Sequence, residues 1–310
     1  MGGWAWLEGV LQPEATQDGA SGDAVTQLHD RDIKTREVLD WQGLHLLHAD
    51  FSTCSQKTRI FLNLKGIDWV SHPVDLAGQK NYTPWFLGIN PRGLVPVLVH
   101  DGAVHIESND ILAYLEATFP EPRLIPAGRE EEMRGLLKEE DDLHMDVRAL
   151  TMRFVVPRIL ATKKPQALAT YEEDLGTVGG TPDPRKQREL DFWNDYTLHG
   201  TTDERARTAA HNFRRSYETL EARLQDHSYL MGEDLTLLDI AWWIYTDRLS
   251  AAAYPFARLH PRIHAWYQGL LARPEFAKEV AVSAPLRALT MGLHAVQSLR
   301  GQTLAKVAGF

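Results

Sequence analysis

Between Leu44 and Pro120 strand-like and helix-like segments follow one another in an order that few folds accommodate. LHLLHA reads as a short strand, FSTCSQ as a loop with helix-start chemistry, and KTRIFLNLKG as a helix closed by Gly66. IDWVSHPVDL reads as a second strand, and QKNYTPWFLGINPRG as a polar, turn-rich connection. VPVLVHDGAVHIE then predicts a hairpin turning at Asp101-Gly102, and SNDILAYLEATFP a helix stopped by Pro120. The order is βαβ, connection, ββα.

Beyond this stretch the periodicity is helical, with one long segment over about 129–162 and another over 202–225. Between them KKPQALATYEEDLGTVGGTPDPRKQREL carries Gly-Gly and two prolines, so a long inserted loop is expected over about 163–201, with a short helix near 185–194. A chain of 310 residues, 44% hydrophobic and 24% charged, has the length for two globular domains. The expected layout is an extension over 1–43, an α/β domain over 44–120, a linker over 121–128, an all-helical domain over 129–285 and a tail over 286–310. The extension is rich in Gly, Asp, Gln and Thr, with apolar patches at 4–11 and 38–44, and carries no function that its pattern identifies. The α/β order is that of a thioredoxin-like domain.

The net charge of −9 offers no broad electropositive field for a polyanion, so no nucleic-acid partner is expected. One cysteine, Cys54, excludes an intrachain disulfide and a cysteine-built zinc site; this usage suits a reducing cytosol. The N-terminus has no cationic start, and no apolar run approaches membrane-spanning length. The expectation is a cytoplasmic protein without membrane contact.

Three features carry chemistry. Ser52, Thr53, Cys54 and Ser55 lie between a strand and a helix, where unpaired backbone N–H groups and the helix dipole favour a thiolate; taken alone they read equally as caps around a small buried filler. Val95-Pro96 opens a strand, where a cis bond would turn the Val95 backbone outward for pairing with an extended peptide, and a trans edge proline is the plain alternative. Glu107-Ser108 stands where the hairpin meets the next helix. Ser108 as N-cap would take a carboxylate and Glu107 an ammonium group, matching the γ-glutamyl end of glutathione; a plain cap is the alternative.

Together S-T-C-S-Q-K-T-R, N-P-R-G-L-V-P-V-L and E-S-N-D-I-L-A-Y-L-E resemble the glutathione transferase superfamily. The resemblance runs from about Leu44 to Glu279 and includes G-E-D-L-T-L-L-D-I-A, where Thr236 and Asp239 match a helix-opening box of structural role. It implies a thioredoxin-like glutathione domain followed by an all-α bundle. It also implies an enzyme that uses glutathione as co-substrate against a small-molecule electrophile, without a metal, as a homodimer. By the same resemblance Val95, with Pro96 cis, offers its backbone to the cysteinyl unit, Glu107 and Ser108 hold the γ-glutamyl group, and Lys80 meets the glycyl carboxylate.

Two residues compete for the activating role. Ser52 matches the hydroxyl or cysteine position of the serine-type, zeta and omega classes, where a hydrogen bond lowers the glutathione thiol pKa. Cys54 matches the reactive cysteine of the tetrachlorohydroquinone reductive dehalogenases, which resolves a glutathionyl adduct by exchange. Ser52 ranks first. The insertion resembles that of the bacterial β-aryl-etherases, which implies thiolate attack on a carbon bearing an aryloxy group. His144, Arg148 and Met152 share one face of the long helix and are candidates for the acceptor pocket, as is Phe154 nearby. The competing readings are a thiol-disulfide oxidoreductase running on Cys54 and a non-catalytic scaffold.

Overall fold

A computed structural model describes residues 27–310, so the apolar patch at 4–11 lies outside the described residues. The chain forms two compact units: one runs to Arg134 and takes in Pro165–Gln187, and the other consists of Gly135–Lys164 and Arg188–Phe310.

The first unit is built on β1 (Leu44–His48), α1 (Thr53–Lys65), β2 (Val70–Pro73), a short α2 (Pro84–Leu87), β3 (Val97–His100), β4 (Ala103–His105) and α3 (Ser108–Thr118). The sheet order is β2-β1-β3-β4, with β2 parallel to β1 and the other pairs antiparallel, which is the thioredoxin-like order expected. At the hairpin Asp101 and Gly102 both have positive φ, 48° and 81°, as a two-residue turn of inverted type demands. A Cβ on Gly102 would stand 2.2 Å from the Leu39 carbonyl oxygen, so no side chain fits there.

The two-residue strand period divides the apolar residues between the two faces of the sheet. Leu47, Val97, Val99, Val104 and Ile106 face a cluster completed by Leu28, Ile33, Val38, Phe86 and Ile89. Leu46 and Leu98, pointing the other way, are equally buried, and α1 packs against α3. Leu28, Ile33 and Val38 were expected to belong to an extension. Instead Gln27 bridges to His105, Leu28 N–H donates to the Val104 carbonyl (2.9 Å), and the three side chains are at most 3% exposed, so the unit begins no later than Gln27. The reason is burial: the sheet face needs an apolar cover, and this segment supplies it.

The expected linker is also folded in, because Glu116 accepts the N–H groups of Leu124 (2.8 Å) and Ile125 (3.0 Å). The expected long helix over 129–162 is three helices, α4 (Glu130–Asp142), α5 (His144–Phe154) and α6 (Arg158–Ala161), interrupted at Leu143 and at Pro157. The expected inserted loop contains α7 (Pro165–Glu173), a small hairpin of β5 (Thr177–Val178) and β6 (Thr181–Pro182), and α8 (Pro184–His199). Its part from Pro165 to Gln187 belongs to the first unit, where Asp32 accepts the N–H groups of Gly179 (3.0 Å) and Gly180 (2.9 Å).

The second unit continues through α9 (Asp203–Arg223), α10 (Leu237–Ala251), α11 (Phe256–Leu259), α12 (Pro261–Leu271), α13 (Pro274–Ala277), α14 (Ala284–Leu299) and α15 (Leu304–Ala308). α10 opens with the capping box foreseen at Thr236 and Asp239, and Asp239 additionally accepts from Leu230 N–H (2.9 Å) and Trp266 Nε1 (3.0 Å). Trp242 and Trp243 on this helix are fully buried. The expected tail is not separate: Leu304 and Ala308 are buried, and Arg207 and His211 of α9 bond the carbonyls of Val307 and Ala308.

His105, at the end of β4, is 1% exposed and stacks on Tyr114 at 3.9 Å, and both its ring nitrogens lack a hydrogen-bond partner among the described residues. Burial, helped by His100, pushes its pKa down to about 4. As pH falls below about 6.5 the unfolded chain takes up a proton that the folded one refuses, so stability present above that pH is lost on the way to pH 4. We expect about 3 kcal/mol to disappear over this range, and His105→Phe to flatten that part of the urea-denaturation profile against pH.

Candidate functional site

The strand registers place the three chemical features at one end of the sheet. Leu47 pairs with Val97, so the chain leaving β1 runs beside Val95 and Pro96; Leu98 pairs with His105, so the chain leaving β4 brings Glu107 and Ser108 to the same end.

The loop after β1 is held from α1. Ser55 N–H donates to Ser52 Oγ (3.3 Å), so of the serines that could cap this helix Ser52 is the N-cap, while Ala49 N–H donates to Ser55 Oγ (3.2 Å). Arg59 donates to the carbonyls of Ala49 and Asp50, each at 3.2 Å. Cys54 lies half-buried in the first turn of α1. Lys57, 2% exposed, donates to Asn109 Oδ1 (2.7 Å) and ties α1 to the start of α3.

The Val95-Pro96 bond is cis. Lys80 is exposed, in a short 3-10 helix over Lys80–Tyr82. At the third feature the structure shifts the cap by one residue: Glu107, with φ 67°, occupies the N-cap position, and Ser108 is the first helical residue. The carbonyl of Glu107 accepts Ile111 N–H, so the helix closes on Glu107 rather than on the Ser108 side chain.

Glu107 is also part of a chain of four charges. Its Oε1 pairs with Arg92 Nη1 and its Oε2 with Arg185 Nη1 (2.6 Å); Arg92 Nε pairs in turn with Asp183 Oδ2. Burial opposes the Arg92 charge, but Glu107 and Asp183 outweigh it and hold the guanidinium protonated above its ordinary value. Arg92, Asp183 and Arg185 escaped the sequence reading. They stand in N-P-R-G and P-D-P-R, two segments read there as a connection and an insertion, and 91 positions separate Arg92 from Asp183.

In the second unit, the pocket candidates of α5 are engaged by their neighbours. The His144 ring meets Tyr245 Oη at 3.1 Å, and Arg148 Nη1 donates to both Glu189 oxygens at 2.7 Å while its guanidinium stacks 5.1 Å from Phe192. Met152 is half-buried. A cavity of about 180 Å³ opens instead beside Met145 and Ala149, with Phe192, Tyr196 and Arg205 among its other walls. Lys163 lies 4.3 Å over the Trp193 ring, and burial, reinforced by Arg148 and opposed by Glu189, pushes its ammonium pKa down to about 8. Among the described residues no cluster of three His, Cys, Asp or Glu side chains could hold a metal ion, and no helix is long and apolar enough to cross a membrane.

Comparisons with known proteins agree with this architecture. The glutathione S-transferase N-terminal domain model matches residues 51–118 and the C-terminal domain model residues 203–269. Glutathione S-transferase 1 of Dianthus caryophyllus is 29% identical over 201 residues, 64% of this chain and 74% of its own length. A zeta class glutathione S-transferase of Euphorbia esula is 49% identical over 76 residues, 24% of this chain and only 34% of the relative. The crystal structure of beta-etherase LigF from Sphingobium sp. strain SYK-6 superposes with a TM-score of 0.64 at 27% identity, covering 77% of this chain and 98% of that one. The fold is therefore a thioredoxin-like domain followed by a helical domain. The chain belongs to the glutathione transferase superfamily and is an enzyme of the transferase class.

Removing Arg92 leaves two carboxylates without their shared cation, at side-chain exposures of 8% for Asp183 and 23% for Glu107. We expect Arg92→Ala to cost about 3 kcal/mol in urea denaturation. Arg185 is 42% exposed, so Arg185→Ala is expected to cost less than about 1 kcal/mol.

Proposed function

We propose that the strand-end site binds glutathione and activates it as a thiolate for attack on a hydrophobic or aromatic electrophile, with aryl ethers as the first class to test. The observation that carries the reading is the convergence of Ser52, Val95-Pro96 and Glu107-Ser108 at one end of the sheet. The likeness to a beta-etherase along nearly its whole length supports the choice of aryl ethers.

The Ser52 hydroxyl suits the activating role. Its oxygen accepts Ser55 N–H, which fixes its direction and leaves its proton to donate to the glutathione sulfur. Such a donor stabilises the thiolate relative to the thiol, whose free pKa is about 8.5. The thiol proton leaves to solvent, the sulfur lone pair forms the new C–S bond, and the C–O bond breaks with its electron pair on the departing phenolate, which then takes up a proton. In this reading the Val95 backbone pairs with the cysteinyl unit, Lys80 meets the glycyl carboxylate, and Glu107 and Ser108 hold the γ-glutamyl group.

Calorimetric titration of glutathione is the direct test, with saturable binding expected for the wild type and weaker binding for Glu107→Ala and Ser108→Ala. With an aryl ether that the wild type cleaves, Ser52→Ala is expected to lower kcat about 100-fold, the loss typical of one donor to a developing anion, while Cys54→Ser retains the activity. The reverse pattern, with disulfide exchange lost in Cys54→Ser, would move the chemistry to the thiol-disulfide class; absence of glutathione binding by the folded wild type would leave the scaffold reading.

A further inference from the structure

The charge chain at the strand-end corner runs Asp183, Arg92, Glu107, Arg185, and its members are unequally accessible. Arg92 and Asp183 form the closed end, with side chains 8% exposed, and Arg92 is engaged on both sides. Arg185 forms the open end at 42% exposure, with Glu107 between at 23%. The set is electrically neutral. An incoming ammonium group that took the Arg185 side of Glu107 would therefore leave the Arg185 guanidinium without its partner beside a new positive charge. A ligand whose ammonium and carboxylate share one carbon removes that conflict, because it supplies the displaced guanidinium with an anion at the same place.

The arm carrying Arg185 is anchored on the first unit on the N-terminal side of that residue. Tyr171 Oη donates to the Arg92 carbonyl (2.8 Å), and its ring stacks on Tyr82 at 4.8 Å. Asp32 holds Gly179 and Gly180 by their N–H groups, and Asp183 accepts Arg185 N–H (3.0 Å) while paired with Arg92. The backbone at residue 185 is thereby fixed before a ligand arrives, and only the guanidinium has to move.

We propose that Arg185, delivered by the arm Pro165–Gln187, is a specificity residue for the amino-acid head of glutathione, exchanging its ion pair with Glu107 for one with the α-carboxylate of the γ-glutamyl group. This rests on the glutathione reading of the same corner. Glu107 then receives the ammonium, the α-carboxylate lies between Arg185 and the start of α3 at Ser108, and Arg92 keeps both of its partners throughout.

The test is calorimetry on the full chain with three probes: glutathione, the analogue lacking the γ-glutamyl α-carboxylate, and the analogue lacking its α-amino group. The readout is the ratio of Kd values, because Arg185→Gln removes a competitor for Glu107 as well as a partner for the ligand, and the two effects oppose one another in any single affinity. In the wild type the decarboxylated analogue should bind roughly tenfold or more weakly than glutathione, one charge-assisted hydrogen bond being involved. In Arg185→Gln that ratio should fall by about tenfold, and Arg185→Lys should recover part of it. A residue that merely supported the arm would weaken all three probes together and leave the ratio unchanged, which would overturn the proposal while glutathione binding stood. Failure of the folded wild type to bind glutathione would overturn the proposal and the glutathione reading together.

Discussion

A buried guanidinium that needs two carboxylates organises the first unit. Arg92 is removed from water, and Glu107 and Asp183, set against it, offset the cost of burying its charge. One partner lies just past β4 and the other immediately before α8, so a single side chain couples the end of the sheet to a segment far along the sequence. Removal of Arg92 would take the shared cation from both carboxylates, so the corner and the arm depend on the same side chain. The Asp32 carboxylate, taken up by the N–H groups of the β5-β6 turn, fastens the same arm to the segment that covers the sheet.

The second unit depends on a comparable buried carboxylate. Asp239 satisfies the start of α10 through Thr236, the Leu230 amide and the Trp266 indole, and so aligns a helix whose tryptophans fill the core. In both units a carboxylate that accepts several donors is worth its desolvation because each donor would otherwise be buried unpaired. In the first unit, however, the carboxylate of Glu107 is held by a cation that is itself partly exposed. In the proposed reading, that difference separates a structural anchor from a group a ligand can address.

The proposed recognition of an amino-acid head by exchange of ion pairs has two electrostatic consequences. A preformed Arg185-Glu107 pair keeps both groups oriented and discourages isolated cations, which would have to displace a guanidinium without repaying it. A zwitterion keeps the total charge of the corner constant, so its binding costs little in long-range electrostatics. Selectivity then comes from matching two opposite charges at fixed spacing, which a solvated salt bridge alone does not supply.

Local pattern was sufficient for the order of the sheet, the Asp101-Gly102 turn, the Ser52 cap and the Asp239 box, because each is decided by residues within a few positions of one another. Two-residue and helical periods reach no further than their own element. Hence Leu28, Ile33 and Val38 looked like part of an extension, Leu304 and Ala308 like part of a tail, and the segment holding Asp183 and Arg185 like part of an insertion in the helical domain. Only the tertiary structure could place them, since a sheet face is covered by whichever apolar segment reaches it, and a buried cation is neutralised by whichever carboxylate the folded chain brings near. The residue types at the candidate site were therefore legible in the sequence, whereas the partners that occupy them were decided by contacts between positions no local rule connects.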